Sequence, residues 1–358
     1  MIPLILPSTS DAMVPFVTRL GGAGVKEDGD ARLVQDQNGV ALYSGSFGLL
    51  AIERPRDMSL DGDVVLIDPR AGRAERLIRS GSEHNTLLVT ERCDQLCIMC
   101  SQPPKKTHED RFAAFTEACL LAPDSAVIGI SGGEPTLFKP ELFTLLETVL
   151  DQRQDLSFHI LSNGQHFERE DVERLRQRCY SRVQWGIPIY ANDPVRHDDI
   201  VAKDGALARL EQSFGYLLEA GARIELRTVL LSANYDALPQ LARYVAARLP
   251  FIEHWSIMQL ENAGFARNRW TTLYVDHQPD FSPLAQAIDH AVLVGLDVRL
   301  FNAPRCSVPT DYRRYCMASI SDWKRRYAPA CDPCNERGKC GGFFEWHPKD
   351  ADLRVVPL

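Results

Sequence analysis

The sequence predicts an α/β protein whose main part is a partial (β/α)6 barrel of TIM-like plan, between a small β-rich N-terminal module and an irregular cysteine-rich C-terminal module. Apolar strand-like runs alternate with helical runs from about residue 85 to residue 265. This alternation is typical of parallel strands with helices packed outside. The first 84 residues are instead rich in turn signals, and five of the ten cysteines follow residue 300. We therefore expect three parts, at residues 1–84, 85–265 and 266–358.

The N-terminal part, residues 1–84, is predicted to be a small β-rich module that serves as a scaffold or docking surface. An Asn-Gly turn signal precedes the apolar run at residues 40–43. The segment DGDVVLIDPRAGRAERLIRS is typical of two strands joined by a Pro-Arg-Ala-Gly turn. Its sequence has no catalytic pattern.

The predicted barrel of the central part is based on short apolar strand-like runs separated by longer amphipathic segments. The expected strands cover residues 86–90, 126–130, 156–161, 183–190, 223–231 and 252–260. The expected helices cover residues 111–121, 140–150, 169–179, 207–220 and 238–249. Polar motifs follow the first three strands, and the carboxyl ends of such strands are where barrels of this kind place their chemistry.

The C-terminal part begins with a linker, a helix at residues 283–294 and a strand at residues 297–301. Residues 303–347 are rich in cysteine, arginine and aromatic residues and have little periodicity. Hydrophobic burial alone would not fold such a segment, so we expect a metal centre to supply the missing stability.

Charge and hydropathy exclude several classes of protein. The chain has 48 acidic and 40 basic residues and a formal charge of −8, which argues against a protein that grips nucleic-acid phosphates. No run approaches the roughly 20 apolar residues that span a bilayer. The apolar N-terminal run lacks a basic segment and is interrupted by prolines, so we expect no signal peptide and a cytoplasmic protein. Because that compartment keeps thiols reduced, clustered cysteines indicate metal.

The first cysteine group is Cys93, Cys97 and Cys100, in the segment ERCDQLCIMCSQPP. Three thiolates on one compact loop can hold three irons of a [4Fe–4S] cluster and leave the fourth iron open. An open metal position is typical of a catalytic site. The alternative is a zinc knuckle completed by His84 or His108, although zinc sites usually pair two short cysteine arms.

The C-x3-C-x2-C spacing resembles the signature of the radical S-adenosylmethionine (SAM) superfamily, in which the residue before the third cysteine is commonly aromatic. Here that position is Met99, which weakens the expected aromatic contact to the adenine of SAM. The stretch NTLLVTERCDQLCIMCSQPPK also resembles the radical SAM maturases of His-Xaa-Ser peptide systems. The resemblance continues in SISDWK at residues 319–324 and in CGGFF at residues 340–344.

The resemblance implies an oxidoreductase-type enzyme that reductively cleaves SAM to a 5′-deoxyadenosyl radical. The radical would abstract hydrogen from a ribosomally made precursor peptide. Such an enzyme needs an electron donor such as a flavodoxin or ferredoxin, and it is compatible with a partner maturase or leader-binding protein. Neither nucleic acid nor membrane is expected as a partner. Two alternatives stay open: a radical SAM enzyme of small-molecule cofactor biosynthesis, and a non-catalytic iron–sulfur sensor of redox state or iron.

The SGGEP motif, which follows the second predicted strand, resembles the superfamily's motif for the amino group of SAM. There the carboxylate of Glu134 and the exposed backbone of Gly132 and Gly133 would accept hydrogen bonds. The alternative is a simple strand terminator. The motif argues against the sensor, because a sensor has no need to hold an amino-acid group.

Two other positions could bind SAM. Ser162 and Asn163, in the SNG that ends the third strand, could bond the ribose or carboxylate of SAM or simply close an Asn-Gly turn. Arg227 could pair with the SAM carboxylate, or form a structural salt bridge with Glu225 or Glu261.

Four residues outside these motifs are given other roles. His197 and the aspartate that follows it could touch substrate, but a solvated helix start is preferred. Cys119 and Cys179 stand alone on predicted helices and are expected to be small buried apolar residues.

The second cysteine group is Cys331, Cys334 and Cys340, with two more cysteines upstream. Cys306 is favoured as the fourth ligand because it follows a predicted strand, and Cys316 is the alternative.

The spacing of the second group resembles the auxiliary-cluster (SPASM or twitch-like) domains of peptide-modifying radical SAM enzymes. The full form continues with another cysteine, but Phe344 occupies that position. We therefore expect one auxiliary [4Fe–4S] cluster. A zinc ion with the same four ligands is the alternative.

Overall fold

The computed structural model describes residues 2–22 and 29–358, apart from the side chain of Leu353. Residues 23–28 of the expected N-terminal module lie outside the described residues. The chain divides into two compact units: residues 1–90 with 108–159, and residues 91–107 with 160–358. The expected boundaries at residues 84 and 265 stay predictions.

The strands in chain order are β1 Ile5–Ser10, β2 Phe16–Gly21, β3 Asp30–Gln37, β4 Val40–Gly45, β5 Gly48–Glu53, β6 Val64–Asp68, β7 Arg73–Ile78, β8 Asn85–Thr90, β9 Val127–Gly132, β10 Ser157–Leu161, β11 Val183–Pro188, β12 Arg223–Val229, β13 His254–Met258, β14 Val298–Phe301, β15 Arg325–Arg326 and β16 Phe343–Phe344. The α-helices are α1 Phe112–Leu120, α2 Lys139–Gln152, α3 Val172–Leu175, α4 Pro194–Val201, α5 Ala206–Ala220, α6 Leu238–Arg248, α7 Gly264–Asn268, α8 Trp270–Leu273 and α9 Ser282–Leu293.

In the first unit, β1 to β7 form a closed barrel in the order β1-β5-β4-β3-β2-β6-β7. Neighbouring strands are antiparallel except β2 and β3, which are parallel. Asn38 and Gly39 both have positive φ, at 55° and 81°, as the two-residue hairpin turn between β3 and β4 requires. The barrel is filled by apolar side chains, among them Leu20, Ile52 and Ile67. The β-rich N-terminal region is therefore confirmed.

The rest of the first unit has α/β character. Strands β8 and β9 pair in parallel, with Leu87 opposite Ile130, and α1 lies between them in sequence. Helix α2 buries Leu142, Leu146 and Val149 on one side, which is the spacing of an amphipathic helix.

The second unit contains a parallel sheet in which β11, β12, β13 and β14 pair in sequence order. Helices separate these strands along the chain, and α5 buries Leu210, Phe214 and Leu217 against the unit. Together with the β8–β9 pair, these parallel strands confirm the predicted α/β class. Because β11 to β14 run in parallel, their carboxyl ends share one edge of the sheet in this unit, where ligands are usually held.

The predicted helix at residues 169–179 is wrong in its length. A short 3₁₀ turn at Arg169–Asp171 leads into α3, which ends at Leu175, and a second 3₁₀ turn covers Arg178–Arg182. Only Val172, Leu175 and Tyr180 are buried apolar residues in this stretch, and the interval of five between the last two does not fit one helical face.

The C-terminal tail is as irregular as predicted. After β14 it consists of short 3₁₀ turns and the two-residue antiparallel pair of β15 and β16. Within the described part of the chain, no helix combines the length and apolarity needed to cross a membrane.

Candidate functional site

The first cysteine group lies on a loop of the second unit. Cys93, Cys97 and Cys100 carry reduced thiols, and each residue is partly exposed. The backbone N–H of Cys100 donates to the carbonyl of Cys97 at 3.0 Å, which makes the segment between these cysteines a tight turn. The loop therefore presents three reduced thiols from a compact stretch of backbone.

The electrostatics of this loop fit a metal cluster. Burial, together with the neighbouring Cys100 and Cys93, raises the pKa of Cys97 to about 12. Three thiols that oppose one another's ionisation need an external positive charge to become thiolates, and iron supplies it. The donor set therefore fits a [4Fe–4S] cluster with three protein ligands.

Two backbone hydrogen bonds fasten the cysteine loop to the end of α4. The N–H of Leu96 donates to the carbonyl of Val201 at 3.2 Å, and the N–H of Ile98 donates to Ile200 at 2.9 Å. These bonds satisfy orphan carbonyls of the last helical turn. The loop is thus held by secondary structure rather than by side chains alone.

A second set of contacts comes from α7 and the residues after it. The N–H of Phe265 donates to the carbonyl of Cys100 at 2.8 Å, and Nη1 of Arg269 donates to the carbonyl of Ile98 at 2.9 Å. Gly264 has φ of +54°, and a Cβ on it would lie 2.3 Å from the carbonyl oxygen of Cys100. Only glycine permits this approach.

A charged network that the sequence analysis missed lies inside the cysteine motif. Oδ1 of Asp94 accepts a hydrogen bond from Nδ2 of Asn163 at 2.8 Å. Its Oδ2 accepts one from Lys203 and lies 3.2 Å from Nε2 of His166. Burial would raise the pKa of Asp94, but hydrogen bonds from His166 and Lys203 hold it well below its usual range. The only signal in the sequence was an acidic residue directly after the first cysteine.

Ser162 and Asn163, predicted SAM contacts, form a buried turn. The hydroxyl of Ser162 accepts from the N–H of Gly164 at 3.0 Å, and Oδ1 of Asn163 accepts from the N–H of Gln165 at 3.0 Å. The turn interpretation thus has direct support. The SAM contacts stay predictions.

Met99, at the position that is commonly aromatic, is buried within an apolar cluster of the second unit. The cluster also contains Tyr190, Ile200, Leu231, Leu260 and Ala266. The thioether thus fills the space beside the third cysteine of the loop. Its contact with adenine stays a prediction.

Tyr190 was not predicted as a member of this region, and for His197 a solvated helix start was preferred to a substrate contact. Burial raises the pKa of Tyr190 well above its usual value, and Cys97 and Cys100 add to the rise, so its hydroxyl stays protonated beside the thiols. Nδ1 of His197 accepts a hydrogen bond from the N–H of Tyr190 at 3.3 Å. His197 is 1% exposed, so the expectation of a solvated position is wrong.

The SGGEP motif lies in the first unit. The N–H of Gly133 donates to the carbonyl of Thr90 at 2.8 Å, and a Cβ on Gly132 would lie 2.4 Å from that oxygen. Glu134 is fully buried, and its Oε1 accepts from the N–H of Thr136 at 2.8 Å. These contacts give Gly132 and the carboxylate of Glu134 structural roles. Their roles in binding the amino group of SAM stay predictions.

Arg227 is paired with a glutamate two residues before it. Nη1 of Arg227 donates to both carboxylate oxygens of Glu225, at 2.9 and 2.8 Å, because alternate residues of a strand share one face. Its Nη2 lies 3.6 Å from the sulfur of Met258. Of the two glutamates that the sequence offered, Glu225 is the partner, and the SAM role of Arg227 stays a prediction.

The second cysteine group surrounds one small cavity of the second unit. The cysteines that line this cavity are Cys306, Cys331, Cys334 and Cys340. Cys316 does not line it and is 5% exposed. Within the described residues, no three His, Cys, Asp or Glu side chains have the spacing for one metal ion.

Backbone N–H groups point at sulfur atoms of this second group. Sγ of Cys340 accepts from the N–H of Arg305 and of Gly342, each at 3.4 Å. Sγ of Cys334 accepts from the N–H of Leu358 at 3.5 Å. Such donors stabilise thiolates and tune iron–sulfur centres, so the donor set fits an auxiliary cluster.

Comparison with known families identifies the central part of the chain. Residues 87–245 match the family model described as the radical SAM superfamily. The chain carries a radical SAM domain. This domain begins within β8, ends within α6 and includes the cysteine loop, the SGGEP motif, the SNG turn and Arg227. A chain with a radical SAM domain is an enzyme, and the family implies a [4Fe–4S] cluster and SAM.

Solved structures similar to this chain include SuiB of Streptococcus suis bound to S-adenosylmethionine, at 15% identity and a TM-score of 0.49. That match covers 60% of this chain and 49% of SuiB. A radical SAM methyltransferase from Sphaerobacter thermophilus matches at 14% identity and a TM-score of 0.44, over 75% of each chain. anSMEcpe with bound AdoMet and a Cp18Cys peptide matches at 14% identity and a TM-score of 0.44, over 60% of this chain and 62% of anSMEcpe. This chain thus spans about half the length of SuiB. Among curated proteins, none matches it.

Proposed function

We propose that this radical SAM enzyme is a peptide maturase: it cleaves SAM reductively, and the resulting 5′-deoxyadenosyl radical abstracts hydrogen from a ribosomally made precursor peptide. The observation that carries the radical chemistry is the loop of three thiols within the matched domain. When bound, the cluster and SAM supply the electron transfer that yields methionine and the radical.

In this proposal the chain's own residues bind and orient the cofactors. Cys93, Cys97 and Cys100 would hold the catalytic cluster and would leave one iron without a protein ligand, for SAM. The other proposed contacts are with the amino group (Gly132, Gly133, Glu134), with the ribose or carboxylate (Ser162, Asn163, Arg227) and with the adenine (Met99).

A peptide is proposed as substrate because the resemblance to His-Xaa-Ser maturases extends from the cysteine motif to SISDWK and CGGFF. A second group of thiols around one cavity also suits an enzyme with an auxiliary cluster. A short neighbouring reading frame with repeated His-x-Ser motifs would support the proposal. Neighbours from a cofactor pathway would instead favour small-molecule biosynthesis.

The proposed setting is the cytoplasm, because reduced thiols are needed to assemble both iron–sulfur centres. There a flavodoxin or ferredoxin would deliver the electron, and a partner maturase or leader-binding protein is compatible with the proposal. These partners rest on the family resemblance.

The radical chemistry is tested by removing one thiol of the loop. Cys97→Ala should abolish formation of 5′-deoxyadenosine from SAM under reducing anaerobic conditions, because a cluster with two protein ligands is not retained. Cys179→Ala, which removes a cysteine without a metal role, is the matched control and should keep the activity. Chromatographic detection of 5′-deoxyadenosine makes the measurement. Activity in Cys97→Ala equal to that of the control would refute the assignment.

The auxiliary site is tested by comparing the two candidate fourth ligands. The wild-type chain should hold about eight irons and eight sulfides after anaerobic reconstitution, as expected for two [4Fe–4S] clusters. Cys306→Ala should lower the iron content toward about four, because Cys306 lines the cavity. Cys316→Ala, outside the cavity, should keep the wild-type content. Equal losses in both variants would contradict the assignment, and about one zinc with four irons would establish the zinc alternative.

A further inference from the structure

The carboxylate of Asp94 joins three segments of the second unit that are far apart in sequence. It lies directly after Cys93, and its three partners are Asn163, His166 and Lys203. Asn163 belongs to the SNG turn, and Lys203 follows the end of α4. The side chain of Asp94 thus connects the cysteine motif both to the SNG turn and to the segment that follows α4.

This network adds to the backbone contacts of the loop. Leu96 and Ile98 already bond the last carbonyls of α4, and Lys203 comes two residues after that helix. The pair of Asp94 and Lys203 is therefore a third link between the same two segments, and it is the charged one. A compact loop with three links has little freedom to move its thiols.

The ion pair of Asp94 and Lys203 is also partly buried. The side chains of Asp94 and Lys203 are 23% and 24% exposed, whereas Lys105 on the same loop is 61% exposed and pairs with Glu91. Charges that are partly buried interact more strongly and are screened less by salt than exposed ones. Asp94 directly follows Cys93 in the chain, and Lys203 contacts Asp94. The charges of both residues therefore act on the group that Cys93 binds.

We propose that Asp94 is a positioning residue of the cysteine loop, and that Lys203 balances its charge and so sets the reduction potential of the cluster. The proposal rests on the proposed function, because it assumes that Cys93, Cys97 and Cys100 hold iron. The physical reason is that reduction adds negative charge to the cluster. A nearby anion opposes this addition and a nearby cation favours it, and net charge is one of the factors that set cluster potentials.

The test uses neutral variants of similar size on the reconstituted full chain. Asp94→Asn removes the anion but keeps an acceptor for Asn163, so the midpoint potential should shift to a more positive value. Lys203→Gln removes the cation, so the potential should shift to a more negative value. Redox titration followed by the electron paramagnetic resonance signal of the reduced catalytic cluster measures both, with Cys306→Ala as the parent so that the auxiliary cluster does not contribute. The double variant should return toward the parent.

Two controls separate charge from structure. Lys203→Arg keeps the charge and should keep the wild-type potential, even where Lys203→Gln lowers the iron content. Lys105→Gln removes an exposed cation of the same loop and should shift the potential less than Lys203→Gln does.

The outcomes distinguish this inference from the proposed function. A wild-type chain without an iron–sulfur signal would refute the proposed function. Shifts of the same sign in Asp94→Asn and Lys203→Gln, or unchanged potentials with full iron content, would refute the inference alone.

Discussion

At the scale of the residue, the backbone of the cysteine loop packs against a position that must lack a Cβ atom. Gly264 has a positive φ of 54°, and a Cβ there would lie 2.3 Å from the carbonyl oxygen of Cys100 and 2.5 Å from that of Ser101. The loop backbone occupies the place of a side chain. Gly215 offers the opposite case: it lies within α5, and a Cβ there would meet nothing within 4 Å.

These two glycines predict opposite effects of the same substitution. Gly264→Ala should destabilise the protein by about 2 kcal/mol or more, since it combines a left-handed backbone with a clash against fixed carbonyls, and it should lower iron retention. Gly215→Ala should stabilise by about 1 kcal/mol, because alanine is the better helix former. Thermal unfolding and iron content, measured on both variants, check this. A Gly264→Ala protein with wild-type Tm and iron content would contradict it.

At the scale of the element, the sequence predicts helices and strands correctly where local pattern and packing agree. Helix α1 at Phe112–Leu120 and strand β12 at Arg223–Val229 lie within two residues of their predicted bounds. The helix expected at residues 169–179 failed, because its charged residues favour helix locally but its apolar residues do not share one face. Closure of the N-terminal barrel was not predicted, because it depends on the pairing of β1 with β7, which lie more than 60 residues apart.

In the candidate site, too, local features could be predicted from the sequence and contacts between distant residues could not. The cysteines could be predicted because metal ligands near in sequence leave a readable spacing. The partners of Asp94 could not, because Asn163 and Lys203 are 69 and 109 residues away and neither belongs to a cysteine motif. The pairing of Arg227 with Glu225 rather than Glu261 could be predicted locally, because alternate residues of β12 share one face.

At the scale of the whole molecule, buried histidines make the second unit sensitive to acid. His197, His277 and His347 are 1%, 3% and 9% exposed. Burial lowers the pKa of all three, to about 4 for His197 and His347. Because each folded-state pKa lies below the usual 6.5, the unfolded chain binds more protons in the interval between the two values. The contribution of these three histidines to stability is therefore fully present above pH 6.5 and is lost as the pH drops toward 4.

His197 offers a direct test of this linkage. Lowering its pKa from 6.5 to about 4 corresponds to about 3 kcal/mol of stability that is lost across that interval. His197→Asn keeps an acceptor for the N–H of Tyr190 but cannot be protonated, so its Tm should fall less steeply between pH 6.5 and 4 than that of the wild type. Between pH 6.5 and 4, the Tm of the wild type should fall by about 5 °C more than that of the variant. Anaerobic thermal unfolding at several pH values measures it, with His290→Asn, on the last turn of α9, as the control that should follow the wild type. Parallel curves for wild type and His197→Asn would show that His197 is not held neutral by burial.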